Sequence, residues 1–202
     1  MDNTEHVSVR ENKGADIVEQ ITGIRPMVHV DPTMLLTKEE WLEVAEKPYW
    51  FDDDNKYIFV YCLDGIPEKA REKMSYFSEK YNLRIIDIMD KSNLDVYASS
   101  PAEFVWLIDN ATLVITNSFH GSVFSILMET PFLSFNRSDS AVNMNSRIET
   151  LANTFSLQNR FNNDDLSDEK VLTSPGRLDV NNILQIEKAR SISYLKAAIE
   201  GN

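Results

Sequence analysis

Lys56-Tyr57-Ile58-Phe59-Val60-Tyr61-Cys62-Leu63 is an almost unbroken apolar run, rich in aromatic and β-branched side chains. A strand with one wet face alternates polar and apolar residues. A continuous run of this kind predicts a strand covered on both faces, as in a parallel sheet. Downstream, Leu83 to Met89 (LRIIDIM) reads as a second buried-type strand, Thr112 to Thr116 as a third and Pro131 to Phe135 as a short fourth. Helical patterns separate them. One starts with Pro67 at its first position and runs to about Tyr81. Another opens on the capping box Ser100-Pro101-Ala102-Glu103, with Phe104, Val105, Leu107 and Ile108 behind it. Phe119 to Glu129 and Met144 to Phe155 read as two more.

Upstream, His6 to Arg10 reads as a strand and Asn12 to Thr22 as a helix with Gly23 at C′. Met27 to Val30 is a strand ended by Asp31-Pro32, and Thr37 to Glu40 is a capping box for a helix carrying Trp41, Leu42, Val44 and Ala45. From Asn162 to Pro175 the chain turns polar and acidic, a loop or linker before a last helix from about Val180 to Ile199. This alternation predicts an α/β fold, a Rossmann-like parallel sheet with helices on both faces. Residues 24–161 are expected to form that domain, with 1–23 the end of, or link from, an N-terminal domain and 162–202 a polar loop and terminal helix.

The 202 residues suit one domain or two small ones. A net charge of −12 argues against nucleic acid or an anionic membrane surface as partner, so any anionic ligand needs a local positive cluster. The single cysteine, Cys62, permits no internal disulfide and reads as a small buried hydrophobe. No run reaches the roughly 20 apolar residues of a membrane span, and the amino terminus lacks a signal-peptide pattern, so a cytoplasmic location is expected. Three histidines and one cysteine without metal-type spacing predict no metal site. Asp52-Asp53-Asp54 reads as a solvated loop tip. No glycine pattern of the dinucleotide type appears, so no nicotinamide or flavin cofactor is expected. His6 and His29 read as partnered structural histidines, Trp41, Trp50 and Trp106 as packing residues, and Asp31 as a turn cap.

Open parallel sheets bind ligands outside the carboxyl ends of their strands, next to helix amino termini. Of the turns so placed, Thr116-Asn117-Ser118-Phe119-His120-Gly121-Ser122 stands out. Asn117 and Ser118 can cap the following helix, His120 falls in its first turn, and Gly121 lets a ligand approach the backbone. Amide, hydroxyl, imidazole and unpaired N–H groups together suit an anion, and the imidazole can move a proton. The plainer alternative is a capped turn with a histidine bonded to a neighbouring loop.

The stretch Thr116 to Ile126, with Pro131-Phe132 after it, resembles the signature of the polysaccharide pyruvyl transferase family. Ser8-Val9-Arg10-Glu11, Val30-Asp31-Pro32-Thr33-Met34-Leu35-Leu36 followed by Trp41, Ser100 to Phe104 through Asn110-Ala111, and Asn145-Ser146-Arg147-Ile148 with Leu157 and Arg160 resemble other family segments in the same order. The likeness covers roughly residues 6 to 161. It does not extend to the polar stretch from Asn162 or to the last helix.

The resemblance implies two Rossmann-like domains in a glycosyltransferase-B-like arrangement. It also implies transfer of the enolpyruvyl group of phosphoenolpyruvate to a sugar of a cell-surface polysaccharide as a ketal. This chain then represents the C-terminal, donor-side domain and is inactive alone. An N-terminal domain brings the acceptor, a sugar or lipid-linked oligosaccharide, at the inner face of the membrane. His120 is the implied catalytic or phosphate-contacting group. Asn117, Ser118, Phe119 and Gly121 line the donor site, and Arg10 and Arg147 clamp phosphate or carboxylate, which a guanidinium fork matches bidentately. The plainer alternatives are a solvated Arg10–Glu11 pair and an Arg147 paired with Glu149 or Asp139. Two other functions fit the same architecture: a nucleotide-sugar-dependent glycosyl transferase domain, and a non-catalytic module binding an anion or sugar.

Overall fold

The computed structural model describes residues 6–51, 56–137, 142–162, 166–175 and 178–201. The acidic tip Asp52–Asp54 and Asp139 lie outside them. The first unit is a parallel pair, β1 (Ser8–Val9) and β2 (Met27–Val28), joined by α1 (Asn12–Thr22). Gly23 ends α1 at φ 75°, its N–H donating to the Glu19 carbonyl at 2.8 Å, a left-handed position that a residue without Cβ adopts freely. A 3-10 turn, Pro32–Leu35, is capped by Asp31, and α2 (Lys38–Leu42) opens on the Thr37/Glu40 capping box. The helix stops short of Val44 and Ala45, which sequence had placed on it. Their N–H groups bond three residues back, at 3.3 Å each, so the last turn tightens and Val44 is left exposed.

The main sheet holds β3 (Tyr57–Tyr61), β4 (Arg84–Asp87), β5 (Leu113–Thr116) and β6 (Phe132–Ser134), all parallel, in the order β4-β3-β5-β6. β3 thus has β4 on one side and β5 on the other, and the carboxyl ends of β3 and β5 flank the point where strand order reverses. α3 (Glu68–Tyr81), with Pro67 as its cap, links β3 to β4. α4 (Leu94–Tyr97), which the sequence pattern did not announce, and α5 (Pro101–Asp109) lead to β5; α6 (Phe119–Leu127) leads to β6. β4 lies at an edge rather than between two strands, and Ile85 is 39% exposed. Its other apolar side chains, Leu83, Ile86 and Ile88, are buried, so the apolar string alone suited either position.

Side chains alternate between two cores. Phe59, Val114 and Phe132 pack with Val105, Leu107 and Ile108 of α5 and most of α6. Ile58, Val60, Ile115 and Leu133 pack with Ala70 and Phe77 of α3 and Val171 of α8 (Asp168–Val171). Beyond α7 (Val142–Thr154), Phe161 bridges Ser134 and covers the outer edge of β6. Arg160, buried beside that bridge, donates to the carbonyls of Lys170, Val171 and Thr173 at 2.7 Å and of Phe132 at 3.4 Å. α9 (Leu178–Glu200) returns to the first unit, where Arg190 donates to the Val28 carbonyl at 2.6 Å. Among the described residues no helix is long and apolar enough to cross a membrane.

Candidate functional site

The turn between β5 and α6 is built from short side chains. The Thr116 hydroxyl donates to the Tyr61 carbonyl at 2.6 Å and accepts the Ser118 N–H at 3.0 Å, which turns the chain off the sheet. Ser118, in extended conformation, caps α6 by accepting the Gly121 N–H at 3.4 Å. Of the nine residues of α6, eight are buried. The remaining one is His120, with its side chain 45% exposed at the second helical position. There the first-turn N–H groups lack intrahelical acceptors and carry partial positive charge. An otherwise buried helix presents one imidazole to solvent.

Asn117 and Gly121 serve the frame of this turn. The Asn117 Oδ1 accepts the Leu63 N–H at 2.7 Å, and its amide donates to the carbonyls of Leu63 and Gly65 at 2.9 and 3.3 Å. Its polar atoms therefore fix the loop after β3, and capping falls to Ser118. At Gly121 a Cβ would lie 2.3 Å from Thr116 Oγ1 and 3.0 Å from Thr116 Cβ. The bare Cα lets α6 pack on the end of β5, where sequence had offered it to a ligand. Gly121→Ala is expected to cost about 2 kcal/mol of stability through overpacking. Thermal denaturation checks this, and an unchanged melting temperature would contradict it.

Asp31, read from sequence as a turn cap, does more than cap. It is 3% exposed, and its Oδ1 accepts from the Thr33 N–H at 3.1 Å and hydroxyl at 2.9 Å. Oδ2 remains for Arg10 Nη1 at 2.7 Å and faces His120 Nε2 at 3.8 Å, within ion-pair reach though too long for a direct hydrogen bond. Burial alone would raise this carboxyl's pKa. The two Thr33 bonds, the Arg10 guanidinium and the charge of His120 together outweigh burial and hold it below its usual range. The clue in the sequence is that a capping aspartate uses one oxygen and keeps the other.

Arg10 and Arg147 converge on one aromatic ring. Their guanidinium carbons lie 5.6 and 5.7 Å from the centroid of Phe119, in cation–π range. Two clamps bring the start of α1 and α7 together: the Ser146 hydroxyl donates to the Glu11 carboxylate, and the Asn12 N–H to Thr150 Oγ1 at 3.1 Å. A cavity of about 350 Å³ opens at this cluster, with Arg10, Asp31 and Phe119 in its lining. The structure thus brings Arg10 and His120 to Asp31, and Arg10 and Arg147 to the Phe119 ring, while His120 and Arg147 stand outside the lining of the cavity. Two planar cations and an imidazole backed by a carboxylate can hold a multiply charged anion and move a proton beside it.

A family model described as polysaccharide pyruvyl transferase matches residues 1–139, which include Arg10, Asp31 and the whole β5–α6 turn but not Arg147. No curated protein and no solved structure matches the chain. The match covers more than half of the sequence and contains Arg10, Asp31, Phe119 and His120. The chain belongs to the polysaccharide pyruvyl transferase family.

Proposed function

We propose that this chain binds phosphoenolpyruvate at the Arg10–Phe119–His120–Arg147 cluster and supplies the donor half of a pyruvyl transfer to a polysaccharide precursor. The observation that carries this reading is the convergence of two guanidiniums on Phe119 beside His120 and its buried carboxylate. In a chain of net charge −12, so concentrated a positive group suits a small, highly charged anion. Arg10 and Arg147 take the phosphate and carboxylate, and the first turn of α6, capped by Ser118, adds N–H dipoles.

His120 gives a proton to the methylene carbon as the double bond opens, and a sugar hydroxyl attacks the neighbouring carbon and releases its own proton. Phosphate then leaves with the bonding pair, and a second hydroxyl takes its place. One hydroxyl proton restores the imidazole and the other leaves with phosphate. The product is a ketal bearing a methyl and a carboxylate.

A second domain closing over the cluster belongs to this proposal, as do the division into residues 1–23, 24–161 and 162–202 and a cytoplasmic setting. Ile17 and Ile21, one turn apart on α1, are exposed with Ile24 and Met27 beyond them, an apolar face that supports such a contact.

Titration of the chain with phosphoenolpyruvate, followed by amide NMR, tests the reading. The expected shifts centre on Asn117 to Ser122 and Arg10, and His120→Ala weakens binding about tenfold, the size of one charge-assisted hydrogen bond. Shifts seen only with nucleotide sugars would overturn the donor assignment. An unchanged affinity in His120→Ala would remove His120 from the site.

A further inference from the structure

β3, β5 and β6 end in register, with Tyr61 beside Thr116 and Thr116 beside Ser134. Three residues beyond these ends stand Asp64 on the β3 side and Arg137 on the β6 side. The Arg137 guanidinium reaches the Asp64 carboxylate, Nη1 to Oδ2 at 3.4 Å. Because β5 lies between the two strands, this pair bridges roughly 10 Å of sheet and crosses the carboxyl end of β5, where Asn117 and Ser118 lead into α6. That is the point of strand-order reversal, where open sheets take their ligands.

The pair is uneven. The Arg137 side chain is 12% exposed and that of Asp64 72%. At 3.4 Å the contact is longer than the about 2.7–2.9 Å of a charge-assisted hydrogen bond, and a carboxylate so open to water contributes little. A covered guanidinium needs strong acceptors to offset its desolvation. Arg160 has them, in four backbone carbonyls, and serves the frame. Among the described residues Arg137 has Asp64 as its one ionic partner.

The loop that carries Asp64 does not depend on this pair. Asn117 holds the backbone on both sides of it, through Leu63 and Gly65. The Asp64 side chain can therefore turn away while the loop stays in place. What replaces it must be an anion, and one with more acceptor oxygens fits the guanidinium better. A phosphoryl group presents three. The amino termini of α3 and α6, both at these strand ends, add N–H dipoles of the favourable sign.

We propose that Arg137 grips the phosphoryl group of the donor, and that Asp64 holds this guanidinium in position until the donor displaces it. The assignment rests on the phosphoenolpyruvate reading. It adds a third arginine to that site and gives the free protein a built-in competitor for it.

The test is calorimetric titration of the full chain with phosphoenolpyruvate and, separately, with inorganic phosphate. Asp64 sits at φ 62°, a left-handed position that asparagine tolerates, so Asp64→Asn spares the backbone. It is expected to tighten both ligands about threefold, by removing an exposed competing carboxylate. Arg137→Met is expected to weaken both about tenfold. Added to Arg137→Met, Asp64→Asn is expected to change nothing further, because Asp64 acts through that guanidinium.

Weaker or unchanged binding in Asp64→Asn overturns the inference, and this result stands even where Arg137→Met folds poorly. Tightening that persists in the double variant overturns it too, since Asp64 then acts through its field alone. Donor binding that weakens in His120→Ala but ignores both new variants overturns it and leaves the donor reading standing. Inorganic phosphate that responds to both variants, with no binding of phosphoenolpyruvate, supports Arg137 as a phosphate site and overturns the donor reading. Silence of the parent toward both ligands overturns both.

Discussion

Arg160→Met is expected to lower the melting temperature by roughly 10 °C, corresponding to about 3–4 kcal/mol in a chain of this size. The side chain is 6% exposed and its donors end on backbone carbonyls, three of them at 2.7 Å around the end of α8. Burial pushes its pKa down to about 10, so the guanidinium still carries its charge at neutral pH. Desolvating that charge is costly, and the carbonyl dipoles at a helix carboxyl end offset the cost. Methionine fills similar space, removes the desolvation penalty and strands the carbonyls. We expect the stranding to dominate, because several strong charge-assisted bonds disappear together. Arg160→Lys keeps the charge but has no planar fork to span the carbonyls, and should lose about half as much. A methionine variant as stable as the parent would show that α8 is not held through Arg160.

Asp31→Ala is expected to cost about 3 kcal/mol at pH 7, the sum of the capping bond from the Thr33 N–H, the bond from the Thr33 hydroxyl and a half-exposed ion pair discounted for solvent. Asp31→Asn keeps the cap and should cost about half of that. The folded carboxyl has a lowered pKa. Its stabilisation is therefore fully present above its ordinary pKa of about 3.9 and is lost as pH falls through the lower folded value. Urea denaturation of parent and Asp31→Ala at neutral and strongly acid pH should give curves that differ widely at the first and approach each other at the second. Both variants are also expected to bind phosphoenolpyruvate five- to tenfold more weakly, because Arg10 loses the contact that fixes its rotamer. Tighter binding would instead make Asp31 a competitor of the donor for Arg10.

The features legible in the sequence are those decided within a few residues. The two capping boxes, the glycine after α1 and the strand–turn–helix around His120 all follow from local chemistry, and all formed where their residues predicted. Pairing partners are a different matter. LRIIDIM reads alike at the edge or centre of a sheet, and nothing in Ser8-Val9 or Met27-Val28 announces that these strands pair with each other rather than with the main sheet.

The site divides along the same line. His120, Ser118 and the strand end were visible in one turn of sequence, and Arg10 and Arg147 came forward through ordered family segments. Asp31 did not, because its cap is local while its partners Arg10 and His120 are distant along the chain. Asn117 likewise turned toward Leu63, a contact across 54 positions that no local rule contains.

The seating of α9 on the β1–β2 unit has a consequence for synthesis. His29 waits for Ser191, and Val28 for Arg190, each 162 positions later. Within the described residues the β1–α1–β2 unit is thus made well before the helix that covers it, whereas the central sheet can assemble from consecutive segments as they emerge. During translation the nascent β1–α1–β2 segment must stay soluble with its inner face bare, which makes it the natural station for a chaperone. A stop codon placed before α9 would leave that station permanently occupied.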